Sequence, residues 1–542
     1  MEKMKKIINS KYLTYFTIAL VALNPLLELD SQIYPFFQKV GIPRLSTIVH
    51  FVLIPLLLLW AFLQKEEKKK RTIIVITIYG ILLAAYFIVH VLYMNAIWFD
   101  LYLPLRFEPS IYQELIYILT LVLPYFLIYE FFLVDLKESV IKKITLFLSA
   151  SISIPIVLGD IFLFGQSTYF KMTTASIFSW FTPGIYEQFE PRTLASKFFF
   201  EEGNTVGILM FMLLPILYYL FTKAISKKEK IEVGILIFIH SVAMLILSTR
   251  IATYGVIVMP IAFLGIYLFC CILMKNEKLQ ISTVLFPLVI AIICYLILPY
   301  SPAVMNQLVD NASNEEIIVD KDLLNNAISD FESSNGEYQT RYDPALVYQF
   351  QTYALSATEF NAIYPGTAGG ANLLGNVPRK YFNEWYPYNH DAVFWVEVIL
   401  VGTPPEQRVN GRQIQKIFFD YKMAELDGQP KWLGMGYSPF MNGSIVLEQD
   451  FVQQLYTLGY VGSILTTLPW ILVVGVAAVL IILKWKKLFT LEVLVYAVAI
   501  CAALGSSYMS GHTLDEFTSS IYMAFVMAIL FRRIHTAYKK EQ

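Results

Sequence analysis

Charge is scarce in this chain. Only 15% of its 542 residues are Asp, Glu, Lys or Arg, against about 25% in a typical soluble domain. The 41 basic and 42 acidic residues leave a net charge of −1. With no basic excess and no basic stripe, a nucleic-acid partner is excluded. Cysteine is also scarce. Cys270, Cys271, Cys294 and Cys501 are the only four, and each lies inside an apolar run. They have neither metal-ligand spacing nor the framework of a small secreted domain. What fills the chain instead is apolar: 57% hydrophobic and 15% aromatic residues, with a mean hydropathy of +0.57. An ordinary soluble enzyme and a disordered chain are both excluded.

A membrane-crossing helix needs about 20 apolar residues. Twelve runs meet that need, near 12–29, 46–63, 72–94, 111–133, 144–165, 204–222, 231–248, 252–274, 279–299, 457–483, 488–509 and 516–531. The first is no cleavable signal, because it holds Asn24 and Pro25 and leads straight into further runs. One alternating set of loops, with both termini, carries 25 Lys and Arg; the short loops of the other set carry 7. The basic set is therefore cytoplasmic, and both termini lie inside a plasma-membrane protein. The segment 300–451, with 9 basic and 19 acidic residues, falls outside. The expected organisation is nine helices over 1–299, an extracytoplasmic loop domain over 300–451, and three helices with a tail over 452–542.

The cytoplasmic loops are too short to bind ATP, and no internal repeat supports a transporter. Chemistry is expected on the outer face. Arg250, in LSTRIATYG, sits in a tight hairpin at membrane level. The plainer reading is a snorkelling interface residue; the functional one is a cation for a phosphate, which the guanidinium fork grips bidentately. FEPRTLASKFFFEEGNTVG, 189–207, brings Arg192 and Asn204 to the same boundary, where Asn204 could simply help begin a helix. The aromatic stretch 380–395 holds His390 and Asp391, without the spacing of a metal site. In 432–464, Gly434 and Gly436 make a G-x-G turn, and Glu448 and Asp450 lie at the mouth of the tenth span. Gly459 and Gly462 have the spacing that lets a helix approach closely. A carboxylate at such a mouth is a functional candidate, and Glu448 could serve as a general base.

In this order, the motifs resemble those of the O-antigen ligase and O-antigen polymerase superfamily. EEGNTVGILMFMLLPILYYL, 201–220, is similar to the family's asparagine-bearing span start. LSTRIATYG is similar to its S-R string. GRQIQ, 411–415, followed by KWLGMGY, 431–437, is similar to its Arg and G-x-G turn. EQ at 448–449, nine residues, then GYVG at 459–462 is similar to its last pattern, with Glu448 where the ligases have His. That exchange points to a polymerase or a wall-glycan ligase.

The resemblance implies an all-α polytopic protein with a C-type glycosyltransferase-like fold. It implies transfer of a glycan from an undecaprenyl-diphosphate carrier to a glycan, lipid or cell-wall acceptor hydroxyl outside the membrane, in polysaccharide, teichoic acid or O-antigen assembly. Arg250, Arg412 and Arg192 would hold the diphosphate. Glu448 would act as base, with Asp450, Asn204, Gly434 and Gly436 toward the substrate. Neither metal nor other cofactor is expected. Two rivals remain: a flippase of lipid-linked glycan, and a metal-dependent C-type transferase using Glu28 and Asp30.

Overall fold

A computed structural model describes residues 2–315 and 411–539, apart from 40, 65–68, 102–108, 135, 174, 427–429 and 443–446. Between 316 and 410 it describes only 386, 394, 398, 399 and 402–404. Among the described residues every regular element is a helix, and Gln166 and Phe198 make one isolated bridge. The expected loop domain at 300–451, with His390 and Asp391, lies largely outside the described residues.

Ten described helices are long and apolar enough to cross a membrane, or eleven if one bent pair counts as a span. Twelve were expected. The run at 46–63 gives only the shorter apolar helix Leu45–Ala61, which follows Pro43 and an ion-paired Arg44. The run at 457–483 is the bent pair, Asp450–Thr466 and Leu468–Leu483.

The chain divides into two compact units. The larger comprises Met1–Val75, Ile118–Asn306 and Thr466–Gln542; the smaller comprises Ile76–Tyr117 and Gln307–Leu465. At the centre of the larger unit lies the helix Gly203–Thr222. It is apolar on all sides and mostly buried, as a helix of that pattern must be. Glu138–Ile161, Lys227–Leu247, Arg250–Ile272, Leu491–Met509 and Phe517–Lys539 pack around it. Two small residues set its closest approach. A Cβ on Gly203 would lie 2.6 Å from Thr168 Cγ2, and one on Gly207 would lie 2.7 Å from Thr249 Oγ1. The smaller unit has its own aromatic core, in which Phe394, Phe418, Phe419 and Phe440 are buried.

Candidate active site

In the smaller unit the helix Asp450–Thr466 is broken at Gly459, where φ is 66° and ψ is −176°. That conformation is essentially glycine's alone. A break removes the i to i+4 bonds across it and strands carbonyls that must find other donors. Here the G-x-G turn supplies them. The Met435 amide donates to the Tyr456 carbonyl and the Gly436 amide to the Thr457 carbonyl, both at 2.9 Å; the Tyr86 hydroxyl donates to the Leu458 carbonyl at 2.6 Å. Gly434 and Gly436 have φ of +82° and +92°. A Cβ on Gly434 would fall 2.1 Å from the Thr457 oxygen, and one on Gly459 would fall 2.5 Å from the Gly434 nitrogen. The two motifs are two halves of one junction. Gly462 is approached by a helix side chain, with its missing Cβ 2.3 Å from the Tyr86 hydroxyl.

The turn is clamped from its other side by a buried pair. Glu114 Oε1 accepts from the amides of Tyr437 and Ser438, both at 2.6 Å, and from the Ser438 hydroxyl at 2.8 Å. Its other oxygen, Oε2, is 3.2 Å from His90 Nε2. His90 Nδ1 lies 2.6 Å from the Leu433 carbonyl, which can only accept, so Nδ1 carries a proton. Both side chains are fully buried. The Gly434 amide donates to Pro430, so all five amides from Gly434 to Ser438 have protein acceptors. The visible work of Gly434 and Gly436 is close packing, and their amides are not offered to a phosphate.

Beside this junction lies the pair expected to carry chemistry. Arg412, on the helix Gly411–Glu425, directs Nε and Nη2 onto Glu448 Oε2 at 3.1 and 2.8 Å. The Glu448 side chain is 42% exposed, whereas Asp450, the first residue of the broken helix, is 1% exposed. Glu448 is thus the carboxylate an incoming hydroxyl could reach. Tyr456 on the broken helix donates to Asp420 on the arginine's helix, tying the two elements together.

In the larger unit the other two motifs also meet. Only Ser248 and Thr249 separate the helices Lys227–Leu247 and Arg250–Ile272. Thr249 caps the second by accepting the Ala252 amide, and it also packs against Gly203 and Gly207 at the start of the central helix. Arg250 is exposed at this hairpin and makes no ion pair among the described residues. Asn204 is half-buried one residue into the central helix. Its suspected role in starting that helix is not seen, since Glu202 holds the cap position and no side chain caps it. Arg192 donates to Asn306 at 3.0 Å and lies 5.9 Å from the Tyr169 ring.

Near this end the carboxylates of the rival metal reading are already engaged. Arg44 donates from Nε and Nη2 to Asp30 Oδ1, at 3.0 and 2.7 Å, and also pairs with Glu201. The Ser46 amide donates to the other Asp30 oxygen at 2.7 Å. Hydrogen bonding to Glu201 pushes the Arg44 guanidinium up, burial opposes it, and the hydrogen bond and charge of Asp30 add to the rise. Glu28 accepts the Glu202 amide at 3.4 Å. Burial pushes the Glu516 carboxyl well above the usual range, and the charges of Asp515, Glu28, Glu202 and Glu201 push it further.

The residues missed in the sequence are His90 and Glu114. A signal for them existed, because ionisable residues inside apolar spans are expected to be paired and functional.

The family described as O-antigen ligase like membrane protein matches residues 10–537. The chain belongs to this family: it is a multi-pass membrane protein whose family activity is glycan transfer in cell-surface polysaccharide assembly. No match is found among curated proteins.

Proposed function

We propose that this protein transfers or polymerises a glycan from a polyprenyl-diphosphate carrier onto an acceptor hydroxyl at the outer face of the cytoplasmic membrane. The reaction is a single displacement with inversion. Glu448 takes the acceptor's proton, the acceptor oxygen bonds to the anomeric carbon, and the bond from that carbon to the diphosphate oxygen breaks with its electron pair. Negative charge then grows on the diphosphate, where a fixed guanidinium stabilises it. The observation that carries this reading is the Arg412–Glu448 pair, with its half-exposed carboxylate. While Arg412 holds Oε2, that oxygen faces a cation rather than an acceptor. A donor diphosphate competes for Arg412 and so releases Glu448 when both substrates are present.

The same phosphate-binding task is proposed for Arg250, on the strength of its exposure at a two-residue hairpin without an ion-pair partner among the described residues. Arg192, with a neutral partner in Asn306, is proposed to assist. A metal-independent reaction is favoured because Asp30 is held by Arg44. The bias of 25 Lys and Arg toward one set of loops supports cytoplasmic termini.

The test is conversion of purified lipid-linked glycan by the full chain in detergent or proteoliposomes. Glu448→Gln keeps shape and removes basicity, and should lower turnover by about 10²–10⁴, while Glu448→Asp keeps part of the activity. Wild-type turnover by Glu448→Gln removes the base assignment. Full dependence on a divalent cation would favour the Glu28 and Asp30 reading. Movement of the lipid with no change in the glycan would favour a flippase.

A further inference from the structure

The larger unit holds a second feature, at the opposite ends of its helices from Arg250. There the helices Gly203–Thr222, Lys227–Leu247 and Ile281–Ile297 line a crevice of about 450 Å³. Its walls are apolar, with Phe221, Phe238 and Phe286 among them. Gly234 opens it: a Cβ there would already stand 3.4 Å from Phe221 and 3.5 Å from Phe286. Phe238 is 44% exposed, as expected of a side chain facing lipid.

The rim is cationic and unbalanced. Lys227 and Lys230 line it. The Lys230 ammonium donates to Gln280 Oε1 at 3.1 Å and Ser282 Oγ at 2.8 Å, both neutral, and lies 4.9 Å from the Phe221 ring. Three nearby lysines have carboxylate partners. Lys223 pairs with Glu277, Lys142 with Glu229, and Lys228 lies 3.9 Å from Glu232. Among the described residues Lys227 and Lys230 have none.

An apolar slot between membrane helices with two uncompensated cations at its mouth matches a molecule with a hydrocarbon tail and an anionic head. A peptide would strand backbone polar groups in the slot. A zwitterionic lipid would fill it but gain little from the lysines. We propose that the crevice binds an anionic glycerophospholipid, with one acyl chain along Phe221, Phe238 and Phe286 and the phosphate at Lys227 and Lys230. Basic clefts between membrane helices are established headgroup sites in general. The site is independent of the glycan-transfer reading.

Native mass spectrometry of the full-length chain in detergent tests it, with phosphatidylglycerol and phosphatidylcholine of identical acyl chains as probes. A lysine near an anionic headgroup is worth roughly fivefold in affinity. The expected phosphatidylglycerol preference is therefore between about fivefold and 25-fold. In the Lys227→Ala, Lys230→Ala double variant this preference should vanish while phosphatidylcholine binding stays. Gly234→Leu should fill the slot and reduce both lipids. Equal retention of the two lipids by the wild type overturns the proposal, as does an undiminished preference in the double variant. Displacement of phosphatidylglycerol by inorganic phosphate alone would also overturn it, by showing a headgroup site without a chain site. A Gly234→Leu variant that loses a dimer but keeps its lipid would instead mark the crevice as a contact between copies.

Discussion

Two junctions bring the four family motifs together, one in each unit, and they are built by opposite means. In the larger unit the central helix Gly203–Thr222 runs unbroken, and its glycines make room for the side chains of Thr168 and Thr249. In the smaller unit the helix Asp450–Thr466 breaks at Gly459, and a turn with two positive-φ glycines fills the gap. The first junction is a fit between side chains, which can adjust. The second is a fit between backbones, which cannot. A junction beside the two groups proposed to react, Arg412 and Glu448, gains from the rigid kind. Small misplacements near reacting groups are expensive in rate.

The sharpest way to break this contrast is Gly459→Ala. The new Cβ meets the Gly434 nitrogen at 2.5 Å and the Trp432 carbonyl carbon at 2.6 Å, at a φ of +66°. Neither neighbour is a flexible tip. The expected loss exceeds about 4 kcal/mol, in the range kept for severe core damage. It should appear as failure to give a monodisperse, thermally cooperative protein in detergent. A Gly459→Ala protein that melts like wild type would mean that the break is no fixed feature.

Glu114→Gln comes next. The amide keeps one oxygen for the Tyr437 and Ser438 amides but turns an NH₂ toward His90 in place of the carboxylate oxygen. One unsatisfied buried donor costs about 1–3 kcal/mol. The fall in melting temperature should be matched by His90→Phe, and the double variant should lose less than the two combined because the partners act as a unit. Strict additivity would show that the two do not share one clamp.

Gly207→Ala probes the forgiving junction. Its Cβ meets the Thr249 hydroxyl at 2.7 Å and the Leu247 Cδ2 methyl at 3.3 Å, both side-chain tips. Losing that cap costs about 1 kcal/mol, while Ala gains up to about 1 kcal/mol over Gly inside a helix. A melting temperature within a few degrees of wild type is expected, and a collapse like that of Gly459→Ala would erase the contrast.

Much of this was legible in the residues themselves. Long apolar runs with few charges announce membrane helices, because a bilayer leaves few other options. Gly434, Gly436 and Gly459 were visible as punctuation, yet their meeting was not, since it depends on which carbonyls a break strands. Hydropathy marked the run 46–63, and the helix there, Leu45–Ala61, is apolar but shorter than the other candidate spans. His90 and Glu114 lie 24 residues apart in separate spans, and no local spacing connects them. Arg412 and Glu448 were picked out singly from motif order, and their pairing is a property of the fold.

The smallest effect tests where the unbroken helix carries its own strain. Its N-terminal end is crowded with like charge: Glu201 and Glu202 lie near Glu28, Asp515 and Glu516, and the carboxyl of Glu516 is raised by burial and by these neighbours. A carboxyl with a higher pKa in the folded state binds a proton that the unfolded chain releases. Its stabilising contribution is therefore complete below the ordinary value of 4.5 and fades as the pH climbs through the raised folded value. Thermal melts in detergent from about pH 5 upward should show this part of the stability declining. In Glu516→Gln, which stays neutral, the decline should be shallower, with little difference from wild type at the acid end. A pH dependence identical in both proteins would mean that Glu516 ionises freely, and that the crowding at this end is relieved by solvent rather than stored in the fold.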